Sequence, residues 1–458
     1  MLIQIKDFSA FCVYRNISSL AMRRTSNTAR HVMGVKDAVR LLPWPVTALV
    51  IALAMPTETS VYVGSLRLSP YRVLLIFTLF PTLMRLFSYR VGTPHIVDYL
   101  MLAHSAWVLL SFVVNEGVGQ GLESGGIYIV ESLGAYLVGR CYIRTRRDFE
   151  AFCRIVFFMV VTMLFFTIPE ALTGYHFIRE AFQAVLGGGG VPYIEPRLGL
   201  TRAFGSFDHP ILYGTFCATT LAATYYVVCA ARVGAKQLLT MSAVGLATFL
   251  SLSSGAFVAM GIQALLVGWD RLTRGISNRW TILGIIFATG WVFLSLLSNR
   301  SPIKVFISYM TFSAHSAYNR ILIWEYGTKE VGRHPIFGIG FADWQRPDWM
   351  HSSSMDNFWL LTAVRYGLPA LIFLMTAIFL TMQRIGRMRN VDDTFNRYRS
   401  AWIIGIAGIA IAGVTVHFWN SLFGLFMFLL GTGAWMLDAP AKERRNLSPM
   451  RAAYGVYR

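Results

Sequence analysis

The chain is poor in charged residues. Of its 458 residues, 14% are charged and 55% are hydrophobic, and the mean hydropathy is +0.52. A soluble domain carries about 25% charged residues, so this composition excludes an ordinary soluble domain and indicates a polytopic membrane protein. Acidic residues are especially scarce, since 23 Asp and Glu stand against 41 Lys and Arg, a net charge of +18. In a membrane protein this excess follows from basic cytoplasmic loops, so no nucleic-acid partner is predicted.

Disulfide, zinc and targeting patterns are missing as well. The five cysteines lie in the N-terminal segment, inside apolar runs or at their predicted cytoplasmic ends, which argues against a disulfide framework, and no Cys/His spacing suggests zinc. Residues 1–40 are basic and contain no apolar core followed by a small-residue cleavage site. We therefore predict a cytoplasmic tail over 1–40 rather than a signal peptide, and a second cytoplasmic tail over 439–458. No metal and no cofactor is predicted.

Long apolar runs make up most of the chain. A spanning helix needs about 20 mostly apolar residues, and twelve segments approach this criterion: 41–56, 68–88, 96–114, 124–141, 152–171, 209–230, 237–253, 255–269, 280–298, 357–382, 401–416 and 419–437. They predict an all-α polytopic protein of about twelve transmembrane helices, with a single transmembrane domain over residues 41–438. The seventh and eighth segments are joined only by Ser254 and its neighbours, whereas long connections occupy 172–208 and 299–356.

Basic residues predict the orientation of these helices. With both termini in the cytoplasm, 29 of the 41 Lys and Arg fall in the tails, in the connections on the cytoplasmic side or at the adjoining ends of the apolar segments, as the positive-inside rule requires. The short outer connection 115–123 contains no Lys or Arg. Both long connections are then predicted to be outer loops, and loops of more than about 15 residues are usually functional or disordered.

Four arginines stand out because positive residues are rare on the predicted outer side. Arg197 and Arg202 lie in the first long loop, and Arg320 and Arg333 lie in the second. A guanidinium offers planar, bidentate donors suited to phosphate, and these positions lie near the outer membrane boundary, where a lipid diphosphate headgroup would be. Ordinary anchoring to lipid headgroups is the alternative interpretation.

The second outer loop adds aromatic and histidine side chains with two interpretations each. Trp324 and Trp344 would stack on sugar rings or belong to an interfacial aromatic belt. His334 would hydrogen-bond a diphosphate or a sugar, or else hold its loop through a backbone carbonyl. Gly338 and Gly340, which follow it, permit tight backbone geometry.

Further polar residues are predicted to be structural. Three stand where helices are expected to begin and are favoured as helix caps rather than as reactants: Asp208, His209 and Asn357. Three ionisable residues lie within predicted helices, where they would form buried structural pairs or, in a proton-coupled transporter, the relay: Asp98, His104 and Glu131.

Three sequence elements, in order, carry a resemblance to a known family. Arg202 precedes a Gly-x-Phe-x-x-Pro turn, Arg320 is followed by x-x-x-Trp, and His334 opens a His-Pro-x-Phe-Gly-x-Gly motif. Over roughly residues 195–375, the chain resembles the O-antigen ligase/polymerase superfamily of bacterial membrane glycosyltransferases. The resemblance implies a GT-C-like architecture in the inner membrane, a periplasmic active site, and undecaprenyl-diphosphate-linked oligosaccharides as donor and acceptor. Flippase and chain-length regulator proteins are candidate partners.

One position departs from the ligase branch of that family. Ligases carry a His before Asn, Ser or Gln at a set distance from a later glycine, and the same spacing here runs from Asp356-Asn357 to Gly367. Ala370 also replaces the last small or polar residue of that pattern. Three explanations stay open: Asp356 is the base, His351 reaches into the site, or the protein is a polymerase with catalytic groups of its own. We favour the polymerase, with Asp356 as an acceptor-binding or basic group.

The resemblance therefore implies a polysaccharide polymerase. Its implied catalytic residues are Arg202, Arg320, Asp356 and His334. Its implied substrate-binding residues are Arg197, Arg333, His209, Trp324, Trp344, His351 and Asn357. The outer loops contain no Asp-x-Asp, so the expected glycosyl transfer is metal-independent. Attack of an acceptor hydroxyl on the anomeric carbon predicts inversion. A ligase that transfers to lipid A core is one alternative; a flippase of lipid-linked sugars is another, although a transporter should concentrate polar residues near the bilayer midplane.

Overall fold

The computed structural model describes residues 42–187, 190–309, 314–350, 352–388 and 392–438. Both predicted tails lie outside these described residues. The described chain is helical apart from its connections and one antiparallel hairpin, formed by β1 (Val61–Val63) and β2 (Leu66–Leu68).

Each of the twelve predicted segments contains a helix. The helices are α1 (Trp44–Leu53), α2 (Pro70–Phe87), α3 (Ile96–Glu116), α4 (Val118–Ile129), α5 (Ala135–Tyr142), α6 (Arg146–Thr173), α7 (Phe177–Leu186), α8 (Pro210–Thr219), α9 (Ala235–Leu250), α10 (Ser254–Leu272), α11 (Arg279–Leu297), α12 (Pro302–Tyr309), α13 (Ala314–Arg333), α14 (Phe358–Gly386), α15 (Asp393–Ala412) and α16 (Asn420–Thr432). A π-helical turn, Val130–Gly134, joins α4 to α5, and a second, Thr224–Val228, follows α8.

Seven helical segments of the described chain are long and apolar enough to cross a membrane: Pro70–Phe87, Ile96–Glu116, Arg146–Thr173, Pro210–Val228, Arg279–Leu297, Phe358–Gly386 and Asn420–Asp438. Two shorter apolar helices, α1 and α9, accompany them. The prediction of an all-α, multi-pass membrane protein is thereby confirmed. Twelve crossings and a GT-C arrangement stay predictions, because several of the predicted segments form helices shorter than a full span.

Buried ion pairs hold the helices together within the bundle. Arg140 on α5 is fully buried, and its Nε lies 3.2 Å from Oδ1 of Asp98 on α3. Glu131 accepts hydrogen bonds from Tyr71 and from Arg72, whose Nε is 2.8 Å away. Asp98 and Glu131 therefore each belong to a buried structural pair, as predicted, the first with Arg140 and the second with Arg72. An ionised group in a low-dielectric interior needs such a counter-charge and hydrogen bonds.

His104 is also satisfied inside the bundle. One ring nitrogen lies 2.8 Å from the carbonyl oxygen of Ala370, and the other lies 2.9 Å from the hydroxyl of Tyr128. Its side chain is fully buried. These contacts give His104 a helix-linking role between α3, α4 and α14.

The His-Pro-x-Phe-Gly-x-Gly motif is a joint between the second outer loop and α14. Gly367 interrupts α14 with φ +83°, and a Cβ there would overlap the carbonyl of Ile336. Gly338 has φ +64°, and a Cβ there would overlap the carbonyl of Val364. Only glycine suits such positions, since φ is positive and backbone meets backbone. The amide of Leu368 donates to the carbonyl of Pro335 over 2.8 Å, which closes the joint.

Three distant segments meet at one end of the bundle. The amide of Thr201 donates to the carbonyl of Ala171 near the end of α6 over 3.1 Å, and the amide of Ala203 donates to the carbonyl of Leu250 at the end of α9 over 2.9 Å. The first long loop is thus fastened beside the turn between α9 and α10. The first turns of α13, from the second long loop, reach the same place.

Candidate active site

Three arginines from both long loops line one small cavity at this end of the bundle. The cavity has a volume of about 120 Å³ and is lined by Arg197, Arg202, Ile211, Ser253, Ser254, Ser316, Asn319, Arg320 and Asp356. Three guanidinium groups against one carboxylate leave its wall with an excess of positive charge. We call it the arginine cavity.

The turn between α9 and α10 holds all three guanidinium groups. Arg202 donates from Nε to the carbonyl of Ser251 over 3.3 Å, and Arg197 donates from Nη1 to the carbonyl of Leu252 over 3.0 Å. Arg320 donates from Nη1 to the hydroxyl of Ser254 over 3.3 Å. Sequence reasoning missed this turn as part of a site, although a serine-rich joint between two apolar helices, on the predicted outer side, was the available signal.

Neither Arg197 nor Arg202 forms an ion pair with a carboxylate of the described residues. Arg202 is only 7% exposed. Burial, and then repulsion by Arg197, lowers its pKa to about 10, partly offset by Glu195. Arg202 therefore stays cationic at neutral pH while lacking a close counter-charge, and an anionic ligand would relieve both the burial and the repulsion.

The positive charge of the arginine cavity also affects the pKa values of Arg320 and His209. Burial lowers the pKa of Arg320, whereas attraction by Asp356 raises it and repulsion by Arg197 lowers it further. Burial, with repulsion by Arg202 and Arg197, lowers the pKa of His209 to about 4. His209 is consequently neutral at pH 7, and the cavity disfavours any further positive charge.

Glu170 fixes the backbone that carries Arg202. Its buried carboxylate accepts hydrogen bonds from the amide of Phe204 over 2.8 Å and from the amide of Gly205 over 3.1 Å. A ring nitrogen of His176 lies 2.8 Å from the same carboxylate. Glu170 is near the end of α6 and makes no contact with the cavity, so its effect on Arg202 acts through the turn. Sequence reasoning did not single it out.

A large apolar cavity lies further along α13. Its volume is about 910 Å³, and its walls come from α11, α12, α13, α14 and the end of α15. Ser316 and Arg320 line the arginine cavity, whereas Trp324, Thr328 and Val331 line the apolar one. These positions recur every three or four residues, so they share one face of α13. That face therefore leads from a cationic cavity to an apolar one.

Residues 239–375 match the family model for O-antigen ligase. This segment, about 30% of the chain, is similar to the O-antigen ligase family. It includes the turn between α9 and α10, all of α13 and Asp356, whereas Arg197 and Arg202 precede it. The match supports the resemblance to the superfamily and contains two of its three motifs, those at Arg320 and His334. Superfamily members are glycosyltransferase-like membrane enzymes that act on lipid-linked glycans. A comparison with curated proteins found no match.

Asp356 is the carboxylate that the ligase-family segment brings to the arginine cavity. It is partly exposed, and its Oδ1 accepts a hydrogen bond from the hydroxyl of Ser354 over 3.1 Å. The neighbouring Asn357 caps α14, since its side chain accepts from the amide of Leu360 over 3.0 Å. The cap prediction for Asn357 is confirmed. His351, the other candidate base, lies outside the described residues.

His209 is a helix cap as predicted, and Asp208 is not. Nδ1 of His209 accepts a hydrogen bond from the amide of Ile211 over 3.1 Å at the start of α8. Asp208 instead joins distant segments, accepting from the hydroxyl of Thr57 and, over 2.7 Å, from the side-chain amide of Asn420. Asp208 therefore cross-links the first outer loop to two other parts of the bundle.

The structure does not bring His334 or Arg333 to the other arginines. Arg333 is the last residue of α13, about 20 Å along the helix from Arg320 at 1.5 Å per residue. Its Nη1 lies 2.8 Å from Glu330, and Nε2 of His334 lies 3.6 Å from the same carboxylate. His334 directly follows the end of α13 and lies apart from Arg202 and Arg320. Its catalytic role stays a prediction.

His334 belongs instead to a second polar cavity. Its volume is about 530 Å³, and its lining residues are Asn115, Glu116, Glu330, His334, Gly338, Ile339, Phe341, Ala342, Asp343 and Gln345. This open space combines carboxylates, side-chain amides and an aromatic ring. We call it the acidic cavity.

The tryptophan candidates have packing roles in the described structure. Trp344 is 6% exposed, belongs to a buried cluster that includes Leu322 and Ile323, and donates from Nε1 to the carbonyl of Ser353 over 3.0 Å. These contacts stabilise the second outer loop, and a contact of Trp344 with a sugar stays a prediction. Trp324 faces the apolar cavity rather than the arginines. Among the described residues, no group of three or more His, Cys, Asp or Glu could hold a metal ion.

Proposed function

We propose that this protein polymerises undecaprenyl-diphosphate-linked oligosaccharide repeat units into an exopolysaccharide or O-antigen at the outer face of the bacterial inner membrane. The observation that carries the proposal is the arginine cavity. Its arginines come from both long loops, and Arg197 and Arg202 have no close counter-charge among the described residues. Such a site suits an anion with two phosphoryl groups.

The donor fits the two adjoining cavities along α13. Arginines bind phosphate with charge-assisted, bidentate hydrogen bonds, so the diphosphate would occupy the arginine cavity. The polyprenyl tail would occupy the 910 Å³ apolar cavity, whose size falls within the range of about 300–1,000 Å³ typical of ligand sites. Asp356 and Asn357 are adjacent in sequence and line different cavities, which brings the two sites together at the start of α14.

The proposed reaction is a direct displacement. A hydroxyl oxygen of the acceptor glycan forms a bond to the anomeric carbon of the donor sugar as the bond from that carbon to the diphosphate oxygen breaks. The departing electron pair stays on the diphosphate, where Arg202 and Arg320 stabilise the developing charge. The proton of the hydroxyl passes to the Asp356 carboxylate. Attack opposite the leaving group inverts the anomeric configuration, and no metal takes part.

The acceptor distinguishes polymerase from ligase. Asp356 stands where the ligase pattern has His, which supports a polymerase whose acceptor is another lipid-linked repeat unit. The acidic cavity, further along α13, would receive sugars of the glycan away from the bond being formed, because it offers hydrogen-bonding side chains and the half-exposed ring of Phe341. A ligase would require lipid A core instead.

A transporter of lipid-linked sugars is the weaker alternative. Its polar binding groups should face each other near the bilayer midplane. Among the described residues, Asp98 is paired with Arg140 and Glu131 with Arg72 within the helices, whereas Arg197 and Arg202, which lack close counter-charges, gather at one end of the bundle. This distribution favours an enzyme.

The deciding experiment is reconstitution of the full chain with purified lipid-linked repeat unit and no other protein. We expect longer lipid-linked chains, and we expect Arg320→Ala to abolish them. Arg333→Ala is the matched control, because it removes an arginine from the same helix outside the arginine cavity. Sugar movement across the bilayer without chain growth would identify a transporter, and transfer only after addition of lipid A core would identify a ligase.

A further inference from the structure

The arginine cavity contains a buried hydroxyl that nothing assigned so far uses. Ser253 is 1% exposed and lines the cavity. Its Oγ makes no hydrogen bond with any of the described residues. A buried hydroxyl without a partner destabilises a fold, and such groups are uncommon in native proteins. The position therefore requires an explanation.

The hydroxyls on either side of Ser253 are already engaged. Oγ of Ser251 donates to the carbonyl of Thr248 over 2.7 Å, and Oγ of Ser254 accepts from Arg320. The carbonyls of Ser251 and Leu252 accept from Arg202 and Arg197. Two carbonyls and one hydroxyl of this four-residue turn hold arginines, and the Ser253 hydroxyl is left to meet a ligand.

The turn itself is held in an uncommon conformation. Leu252 has φ +46°, in the left-handed region that a branched side chain rarely adopts. The turn packs closely on α8, because a Cβ at Gly214 would overlap Oγ of Ser251. Strained backbone of this kind persists only where the surroundings enforce it, and it concentrates at binding and catalytic sites.

We propose that the turn from Ser251 to Ser254 is a third element of the diphosphate site, in which the Ser253 hydroxyl donates a hydrogen bond to a phosphoryl oxygen of the leaving group. This inference rests on the proposed function. The ligand is an anion rather than a neutral sugar, because three guanidinium groups and one carboxylate line the cavity. The carbonyls of Ser251 and Leu252 act on Arg202 and Arg197 as positioning groups, whereas Ser253 touches the ligand.

The Ser253 hydroxyl should contribute most to the rate as the bond between the donor sugar and the diphosphate breaks. Charge on the diphosphate oxygens increases at that point, and a fixed donor contributes to the rate when its hydrogen bond strengthens in the transition state. Loss of Ser253 is therefore expected to lower kcat more than it raises KM. A change confined to packing would lower thermal stability without this separation.

The test uses Ser253→Ala and Ser253→Thr in the full chain, with inorganic pyrophosphate as the binding probe and the lipid-linked repeat unit as the substrate. We expect Ser253→Ala to weaken pyrophosphate binding by about tenfold, as loss of a hydrogen bond to a charged group does, and to lower kcat with Tm unchanged or raised. Ser253→Thr retains a hydroxyl and should restore most of both. Ser65→Ala, on the remote hairpin, is the matched control.

The outcomes separate this inference from the proposed function. If Ser253→Ala binds pyrophosphate and extends chains as the unaltered protein does, while Arg202→Ala loses both, the inference about Ser253 is wrong and the polymerase proposal stands. If Ser253→Ala lowers Tm and Ser253→Thr restores nothing, Ser253 is structural and the inference is again wrong. If the unaltered protein neither binds pyrophosphate nor extends chains, the proposed function fails.

Discussion

Two buried arginines in this protein have opposite surroundings. Arg140 is fully buried and lies 3.2 Å from Asp98 and 3.2 Å from Asp438. Arg202 is 7% exposed, forms no ion pair with a described carboxylate, and donates to the carbonyl of Ser251. A buried charge is costly unless it is paired, so full pairing indicates a structural role and its absence indicates a place for a ligand.

The same contrast applies to the outer loops. Arg179, in the first loop, pairs with Glu58 and lies 3.6 Å from Asp208, which fastens the loop to the bundle. The side chain of Arg197, in the same loop, hydrogen-bonds only the carbonyl of Leu252 among the described residues. Equal charge and similar position in sequence thus give one anchoring residue and one candidate ligand-binding residue.

The largest expected effect is on stability at the paired arginine. Arg140→Ala should destabilise the protein by about 3–5 kcal/mol, because it removes the shared partner of two buried carboxylates. Arg202→Ala should leave Tm nearly unchanged or raise it, since it removes a buried charge without a close counter-charge. Thermal unfolding of the detergent-solubilised protein measures both. Similar losses in the two variants would contradict the comparison.

The next largest effect is expected on enzymatic activity when Arg202, the arginine without a close counter-charge, is changed. Arg202→Lys keeps the charge but loses the planar, bidentate donor geometry. We expect chain growth from the lipid-linked repeat unit to fall by about 10²–10³-fold, as for loss of one donor to a developing anion. Arg333→Lys, on an arginine already paired with Glu330, serves as the control and should retain nearly full activity. A fully active Arg202→Lys would count against a bidentate diphosphate contact.

A smaller effect on stability and activity is expected at Glu170, which positions the backbone that carries Arg202. Glu170→Ala leaves the buried amides of Phe204 and Gly205 without their acceptor, which should cost about 1–3 kcal/mol and should also reduce chain growth. Glu170→Gln keeps one carbonyl oxygen and should lie between Ala and the original residue. Unfolding and activity measured on the same preparations test this order. Glu180→Ala on α7 is the control, and equal behaviour of all the variants would remove Glu170 from this role.

The smallest effect concerns pH. The pKa of His209 is lowered to about 4 from its ordinary 6.5, so the unfolded chain binds a proton between these values that the folded protein resists. Stability should therefore fall as the pH is lowered through this window. His209→Asn keeps a residue suited to capping α8 without titrating, and the decline in Tm between pH 7 and 4.5 should be smaller. An identical decline in both proteins would show that His209 does not titrate as described.

Much of the fold could be predicted because membrane insertion depends on local composition. Each predicted apolar segment contains a helix, since about 20 apolar residues must satisfy their own backbone hydrogen bonds in lipid. That Asp98 and Glu131 would each have a buried partner was predictable too, because a charged group within a membrane-spanning helix needs one. Their partners, Arg140 and Arg72, were not, because contacts between helices depend on packing that a hydropathy pattern does not contain.

The candidate site could be predicted only in part. Arg197, Arg202 and Arg320 were selected for their chemistry and Asp356 for its place in the ligase motif, and the structure brings all four to one cavity. His334 was selected on the same motif evidence and lies in another cavity, because the length of α13 separates it from Arg320. Trp344 was interpreted either as a sugar platform or as part of an interfacial belt, yet it is buried within its own loop, where a large aromatic side chain removes much apolar surface from water.

The sequence by itself determined the class of protein, the helical segments, the predicted orientation and the arginines suited to a lipid diphosphate, because each depends on residues close together in the chain. Only the tertiary structure decided which arginines stand without a close counter-charge and which turn holds them. That turn, from Ser251 to Ser254, reads locally as a joint between two helices. The turn becomes part of a site because Arg197 and Arg202, from before it in the chain, and Arg320, from after it, pack against it. Such long-range contacts cannot be predicted from the local sequence.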